Sequence, residues 1–308
     1  VEVKGLVKTY GDLTAVDGID FQVLPGEILG ILGPNGSGKT TTLKSILGLV
    51  AFDRGSIRVN GLPVPGQTRR VLERTGAVLE GARNIYWYLS PRENLAYYAG
   101  IRGLSRSSVA PRIEALLEGL ALDDVADKEV RQFSSGMKQK CALACAFIHD
   151  PDLLLLDEPT LGLDVETGRM IRNWLRNMVR NRGKTILITS HDMDFIESVC
   201  DRVLIVRKGR IVSHETVSTL REKFAGKFFA VELDRPPSPE LLESLSTWGR
   251  VSHQGSSLKV ELASLGNLAP MVAALAAFPG KLLDFRTVEN DLEEIFLQMI
   301  REGDDAHP

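Results

Sequence analysis

The residues Gly33-Pro34-Asn35-Gly36-Ser37-Gly38-Lys39-Thr40 bring glycines, a lysine and a hydroxyl together in an order suited to holding phosphate. An apolar run, 27–32, precedes them and a helix-compatible stretch, 41–47, comes after, which is the strand-to-helix setting of a phosphate-binding loop. Glycine lets the backbone turn tightly, so that successive N–H groups point inward at the β- and γ-phosphates. The helix beyond the loop presents its positive dipole end to the same anion. Lys39 adds a point charge, Thr40 can set its hydroxyl on Mg²⁺, and Thr41 completes the expected contacts. The first expectation is therefore nucleotide binding.

A second group lies in Leu153-Leu154-Leu155-Leu156-Asp157-Glu158-Pro159-Thr160. Two carboxylates here close an apolar strand, and in a parallel sheet that end also carries the phosphate-binding loop. Asp157 is expected to hold Mg²⁺ directly or through water. Glu158 is expected to accept a proton from the attacking water, because neighbouring strand residues diverge and can take separate roles. A merely solvated pair is the plain alternative, and the loop in the same chain argues against it.

These groups need a sheet to position them, and the chain supplies one. Extended segments at 1–4, 19–24, 27–32 and 56–59 open it, and apolar strands at 153–156, 185–189 and 203–206 alternate with helical stretches such as 166–180. Near-continuous apolar strands separated by helices predict a buried, mainly parallel sheet. Between them, 90–147 reads as a helical insertion: Ser90-Pro91-Arg92-Glu93 is a capping box with proline at the first helical position, and Ile113, Leu116, Leu117 and Leu120 share one stripe. Beyond a boundary placed near Arg221 the order is strand 228–233, helix 239–245, a hairpin turning at Gly255-Ser256-Ser257, helix 265–277 and strand 282–288. This predicts a small α+β split-βαβ domain, closed by a helix at 291–300. The domains expected are thus 1–221 and 222–301, with 302–308 a frayed tail.

Composition sets outer limits. With 308 residues, 44% hydrophobic and 25% charged, the chain suits two globular domains. A net charge of -3 argues against non-specific nucleic-acid binding, although a local basic patch stays open. Cys141, Cys145 and Cys200 have no metal-like spacing and suit a reducing compartment; Cys141 and Cys145, four apart, read as small core residues. No run reaches the ~18 apolar residues that span a bilayer, and no signal peptide opens the chain, so membrane work is expected through a partner. The start at Val1 rather than Met suggests that a few residues precede it.

With the segment Phe133-Ser134-Ser135-Gly136-Met137-Lys138-Gln139 added ahead of the carboxylates, residues 1–221 resemble the ATP-binding subunits of ABC transporters. The resemblance implies a P-loop ABC ATPase domain with a mainly parallel core, an antiparallel β subdomain and a helical insertion. It also implies that Ser134, the backbone around Ser135 and Gly136, and the helix N-terminus bind the γ-phosphate held by another subunit's loop. That would be a second anion site built like the first. Tyr10 and Val16 stand where the family stacks and packs against adenine. Leu161-Gly162-Leu163-Asp164 resembles the segment linking two ATP sites, with Asp164 among the nucleotide contacts, and His191 resembles the switch histidine that touches the γ-phosphate. Glu158, His191 and Lys39 are the catalytic residues so implied.

This sequence departs from the family pattern at three places. Glu80 stands where a glutamine senses Mg²⁺ and the attacking water; a carboxylate can ligate Mg²⁺ yet brings negative charge near the phosphates, and pointing to solvent is its other reading. Ser135 replaces a usual glycine and Phe133 a usual leucine. One loop and one signature further imply a head-to-tail homodimer enclosing two ATP molecules. The aromatics in Asn84-Ile85-Tyr86-Trp87-Tyr88-Leu89 read either as a docking patch for a multi-span permease or as packing within the insertion. The segments Gly81-Ala82-Arg83-Asn84 and Asp291-Leu292-Glu293-Glu294-Ile295-Phe296 are similar to drug-resistance-type (daunorubicin-exporter-like) export ATPases. That similarity implies a cytoplasmic subunit, peripheral on the inner face of the cell membrane. A soluble ABC ATPase acting on DNA or ribosomes, and a weakly hydrolysing nucleotide-dependent binding module, are the rival readings.

Overall fold

A computed structural model describes residues 1–79, 81, 84–224 and 228–287. Glu80, the expected helix 291–300 and the tail 302–308 lie outside the described residues. The chain divides into two compact units, Val1–Val217 and one that begins at Ser218.

The first unit runs β1 (Glu2–Tyr10), β2 (Leu13–Gln22), β3 (Ile28–Leu32), α1 (Lys39–Ile46), β4 (Arg54–Val59), β5 (Leu62–Val64), α2 (Thr68–Glu73) and β6 (Thr75–Val78). The inserted helices α3 (Pro91–Ile101), α4 (Arg106–Gly119) and α5 (Ser135–Phe147) come next. It continues with β7 (Leu153–Asp157), α6 (Val165–Arg182), β8 (Thr185–Ser190), α7 (Met193–Val199), β9 (Arg202–Arg207) and β10 (Arg210–Thr216). Its main sheet has the order β10-β9-β3-β8-β7-β6, parallel except for the antiparallel edge pair β9 and β10. A separate antiparallel sheet, β2-β1-β4-β5, covers α1 from the other side. Leu43, Ile46 and Leu47 of α1 join a buried cluster with Val16, Ile19 and Ile57 from the antiparallel sheet and Leu29, Leu155 and Leu187 from the parallel one. Each such side chain contributes about 1.5–3 kcal/mol when buried. The helix behind the phosphate loop is thereby clamped between two sheets.

Local chemistry sets the element ends. Ser90 and Glu93 form the expected capping box at α3, with Pro91 in its first turn. Ser134 caps α5, and Asp164 caps α6, which ends at Gly183 in the left-handed conformation. Cys141, Cys145 and Cys200 are all free and buried. Among the described residues no helix is long and apolar enough to cross a membrane.

α8 (Val217–Phe224) straddles the unit boundary. The second unit continues with β11 (Phe228–Leu233), α9 (Pro239–Ser246), β12 (Gly249–Gln254), β13 (Ser257–Leu262), α10 (Leu268–Ala276) and β14 (Leu282–Thr287). The sheet order is β12-β13-β11-β14, with every neighbouring pair antiparallel. β13 separates the parallel β11 and β12, which is the split βαβ arrangement. The hairpin turn is Gly255-Ser256 alone, because Ser257 already pairs with Gln254. Helix α10 starts at Leu268 after a short 3₁₀ turn, Leu265–Asn267.

Candidate functional site

The phosphate loop joins β3 to α1, and its shape depends on two glycines. A Cβ on Gly33 would lie 2.3 Å from the Val206 carbonyl oxygen, and one on Gly38, at φ +103°, would lie 2.3 Å from that of Ala15. Neither position accepts a side chain without moving backbone. Residues 35–41, including Asn35, Gly36, Ser37, Gly38, Thr40 and Thr41, line a cleft of about 540 Å³ with Tyr10, Leu13, Ala15, Glu158, Leu161 and His191. Gly33 and Pro34 form the base of the loop, where their carbonyl oxygens accept from Lys39 Nζ at 2.7 and 3.2 Å.

Glu158 lines this cleft, whereas Asp157 reaches it only through its bond to Thr40. Asp157 is buried at the end of β7; its Oδ1 accepts from Thr40 Oγ1 at 3.0 Å and from Thr189 Oγ1 at 2.5 Å. Its Oδ2 is buried with no hydrogen-bond partner. A buried carboxylate oxygen without a donor is costly unless a cation or water satisfies it, and together with the Thr40 hydroxyl it forms a hard oxygen donor set suited to Mg²⁺.

Glu158 stands one residue beyond the strand with φ +49°, a left-handed conformation unusual for glutamate and typical of functional sites. That twist turns its carboxylate toward the end of β8. Oε2 accepts from His191 Nδ1 at 2.9 Å, Ser190 Oγ at 3.3 Å and the His191 amide at 3.4 Å, while Oε1 lies 3.5 Å from Lys39 Nζ. Glu158 is thus held in one orientation, with a histidine and an ammonium beside it.

Several expected contacts fall elsewhere. Val16 is fully buried in the core cluster and does not line the cleft; Leu13 and Ala15 line it instead. Strand alternation sends Val16 inward, and the left-handed Gly18 then shifts the parity so that Ile19 and Phe21 also point in. Asp164 is likewise absent from the cleft lining. Both its oxygens accept from Thr167, from the amide and the hydroxyl, each at 2.8 Å, and chiefly the amide bond holds its carboxyl below the usual range. Thr189 and Ser190, which orient the two carboxylates, are site residues that the sequence reading did not single out. Hydroxyls at the buried end of an apolar strand next to His191 were the available signal.

The turn Ser134-Ser135-Gly136 does not line the cleft of its own chain. Ser134 and Ser135 are exposed at the start of α5, where Ser134 Oγ accepts from the Met137 amide at 3.2 Å. Gly136 packs on α6, and a Cβ there would be 2.9 Å from Thr167 Cγ2.

The aromatic segment divides between its two readings. Tyr86 packs edge-on against Tyr97, with ring centroids 4.7 Å apart, whereas Trp87 and Tyr88 are 54% and 78% exposed. Buried Asn94 fixes the loop, accepting from the Tyr86 amide and donating to the Tyr86 carbonyl. The Val130 and Arg131 amides bond to the Leu89 and Trp87 carbonyls, and Lys138 Nζ sits 4.9 Å from the Trp87 ring centre. Trp87 is therefore tied to the first turns of α5. A neighbouring cavity of about 510 Å³, lined by Leu47, Leu49, Leu72, Leu79 and Asn84, reaches Asp157.

A phosphate loop facing an oriented glutamate at the head of a mainly parallel sheet is the arrangement of a nucleoside-triphosphate-hydrolysing α/β domain. Comparison with known proteins narrows the class. The family model for the ABC transporter matches residues 16–161. Relatives called Nod factor export ATP-binding protein I include one from Burkholderia orbicola, 36% identical over 97% of this chain and 96% of that protein, and one from Ralstonia nicotianae, 34% identical over 97% and 93%. Among solved structures, an ATP-binding subunit of an ABC transporter is 31% identical over 72% of this chain and 92% of its own, with TM-score 0.66. A dimeric ATP-binding cassette in a post-hydrolysis state bound to ADP and Pi is 25% identical over 70% and 98%, with TM-score 0.65. The chain belongs to the ABC transporter family and is an ATP-binding, ATP-hydrolysing subunit of it.

Proposed function

We propose that this protein powers export by a separate membrane permease, and that two copies bind two ATP molecules head to tail. The carrying observation is that the turn read as a second anion site does not line the phosphate-loop cleft of its own chain. The cleft holds the loop, Glu158 and His191, while the capped turn of Ser134, Ser135 and Gly136 is not part of its lining and leaves both serines exposed. In a head-to-tail pair each turn meets the γ-phosphate on its partner's loop. Thr40 and Asp157 are the residues that would hold Mg²⁺, which when bound supplies charge neutralisation to the phosphates.

In turnover, the loop amides and Lys39 bind the β- and γ-phosphates. Glu158 accepts a proton from the water that attacks the γ-phosphorus, and His191, through its Nδ1 contact, orients Glu158 for that step. Closure moves the exposed Trp87 and Tyr88 with α5, through Lys138 and the 130–131 segment. That passes the movement to a permease seated beside the 84–89 segment on the inner face of the membrane. Export is the direction carried by the names of the curated relatives.

The test is the mass of the Glu158→Gln protein with and without ATP and Mg²⁺, by light scattering. A doubling that needs both is expected. A monomer under all conditions would overturn the paired site.

A further inference from the structure

Tyr10 stands at the tip of the β1–β2 hairpin, paired with Leu13 across a two-residue turn in which Gly11 is left-handed. A half-exposed ring at a hairpin tip is free to swing unless something fixes it. Here Lys8, two residues back and so on the same strand face, carries its Nζ over the ring at 5.0 Å from the centroid. The Lys8 side chain is only 15% exposed, and its ammonium pairs with Asp53 Oδ1 at 3.4 Å. Asp53 is fixed in turn: its Oδ2 accepts from the Thr9 amide at 2.7 Å, and its own amide donates to the Val7 carbonyl at 2.8 Å. These bonds fall at a register shift between Lys8 and Thr9, where the β1–β2 ladder is interrupted. Asp53 lies in the segment that links α1 to β4. Tyr10 lines the cleft and Lys8 does not, so the ammonium contacts the ring from outside the cleft lining.

We propose that Lys8 and Asp53 are positioning residues for the nucleobase, holding the Tyr10 ring at a fixed angle and tying it to the segment that leaves the phosphate-loop helix. This rests on the reading of Tyr10 as the surface on which adenine stacks. The clamp acts in two ways. The ring is ordered before the base arrives, which removes an entropic cost of stacking. The cation also draws π-density away from the ring face on which the electron-rich purine would lie. The triphosphate contacts made by the loop are untouched by either effect.

The test uses the full chain and steady-state turnover, with inorganic tripolyphosphate as a competitor that has no base. Lys8→Met keeps the stem and removes the charge; it should raise KM for ATP about two- to fivefold, the size of one cation–π contact. kcat and inhibition by tripolyphosphate should stay at the parent values. Lys8→Arg should restore KM, and Asp53→Asn should reproduce part of the rise if Lys8→Met does not fold. On a Tyr10→Ala background, Lys8→Met should add nothing further. An unchanged KM in both Lys8→Met and Asp53→Asn, with a raised KM in Tyr10→Ala, would overturn the clamp and leave the stacking role intact. Parallel weakening of ATP and tripolyphosphate would overturn it as a general distortion of the site. An unchanged KM in Tyr10→Ala would remove the stacking role itself.

Discussion

The phosphate-loop cleft and the turn before α5, proposed as a second anion site, differ in how complete they are. At the cleft the charged groups are held by one another and by the loop: Lys39 on the loop carbonyls and Glu158, Glu158 on His191 and Ser190, and Asp157, through Oδ1 alone, on two threonines. At the turn before α5, Ser134 is engaged only as a helix cap and faces solvent with Ser135. One site is pre-organised by its own fold, and the other offers donors to whatever approaches. The difference teaches that chemistry and its control are housed apart, joined through helices α5 and α6 where Gly136 meets Thr167.

The largest effect expected from attacking the complete side is that of Glu158→Gln. Removing a positioned base costs about 10²–10⁴ in rate, so turnover should fall by that much while ATP stays bound. Steady-state phosphate release beside equilibrium ATP binding checks it. Turnover near the parent rate would take the base role from Glu158. Lys39→Ala comes next. Losing a charge-assisted contact costs roughly 1.5–3 kcal/mol, which weakens ATP binding on the order of ten- to a hundredfold in a direct titration. Unchanged affinity would contradict the loop assignment.

Crossing the two sides is more discriminating than breaking either. Lys39→Ala disables the cleft of one chain and Ser134→Ala the turn of another, so a mixed pair keeps one intact cleft facing one intact turn. The mixture should hydrolyse ATP faster than either variant alone. No recovery on mixing would mean that each chain completes its own site. A smaller effect belongs to Trp87→Ala, which cuts the contact with Lys138. Transport in reconstituted vesicles should drop more than ATPase activity of the isolated subunit, and equal losses would instead indicate packing within the helical insertion.

The complete side was also the legible one. Glycines, Lys39, Thr40 and the two carboxylates carry their chemistry in residue type and local spacing, and the phosphate loop needs only a strand before it and a helix after it. Val16 and Asp164 fall outside the lining of this cleft for reasons that local spacing does not carry. Which face of β2 a residue occupies depends on a parity shift at Gly18, and whether Asp164 reaches a nucleotide or caps α6 depends on the competing amide of Thr167. The clamp on Tyr10 was invisible because Asp53 reaches Lys8 and Thr9 from a distant part of the chain. In the second unit the succession of strands and helices was legible as a split βαβ pattern, and the structure supplies the sheet order β12-β13-β11-β14 that such a pattern takes.

Acid should loosen the region behind the open side through His149, which lies just past α5 and bonds through Nε2 to the Thr75 carbonyl at 3.2 Å. Burial, reinforced by the nearby charge of Arg102, pushes its pKa down to about 4. In the unfolded chain the same imidazole titrates near ~6.5, so between those two values the unfolded state binds more protons than the folded one. His149 therefore leaves stability unaffected above that window and lowers it progressively as pH falls through it. His149→Gln keeps a hydrogen-bond donor without the titration, and urea midpoints at about pH 7.5 and 5 should differ less in this variant than in the parent. An equal pH dependence in the two proteins would assign the acid sensitivity to other groups. If the slope flattens as expected, and ATP affinity at about pH 5 is preserved in the parent, then acid acts behind α5 and spares the pre-organised cleft, which is the asymmetry between the two sites expressed as stability.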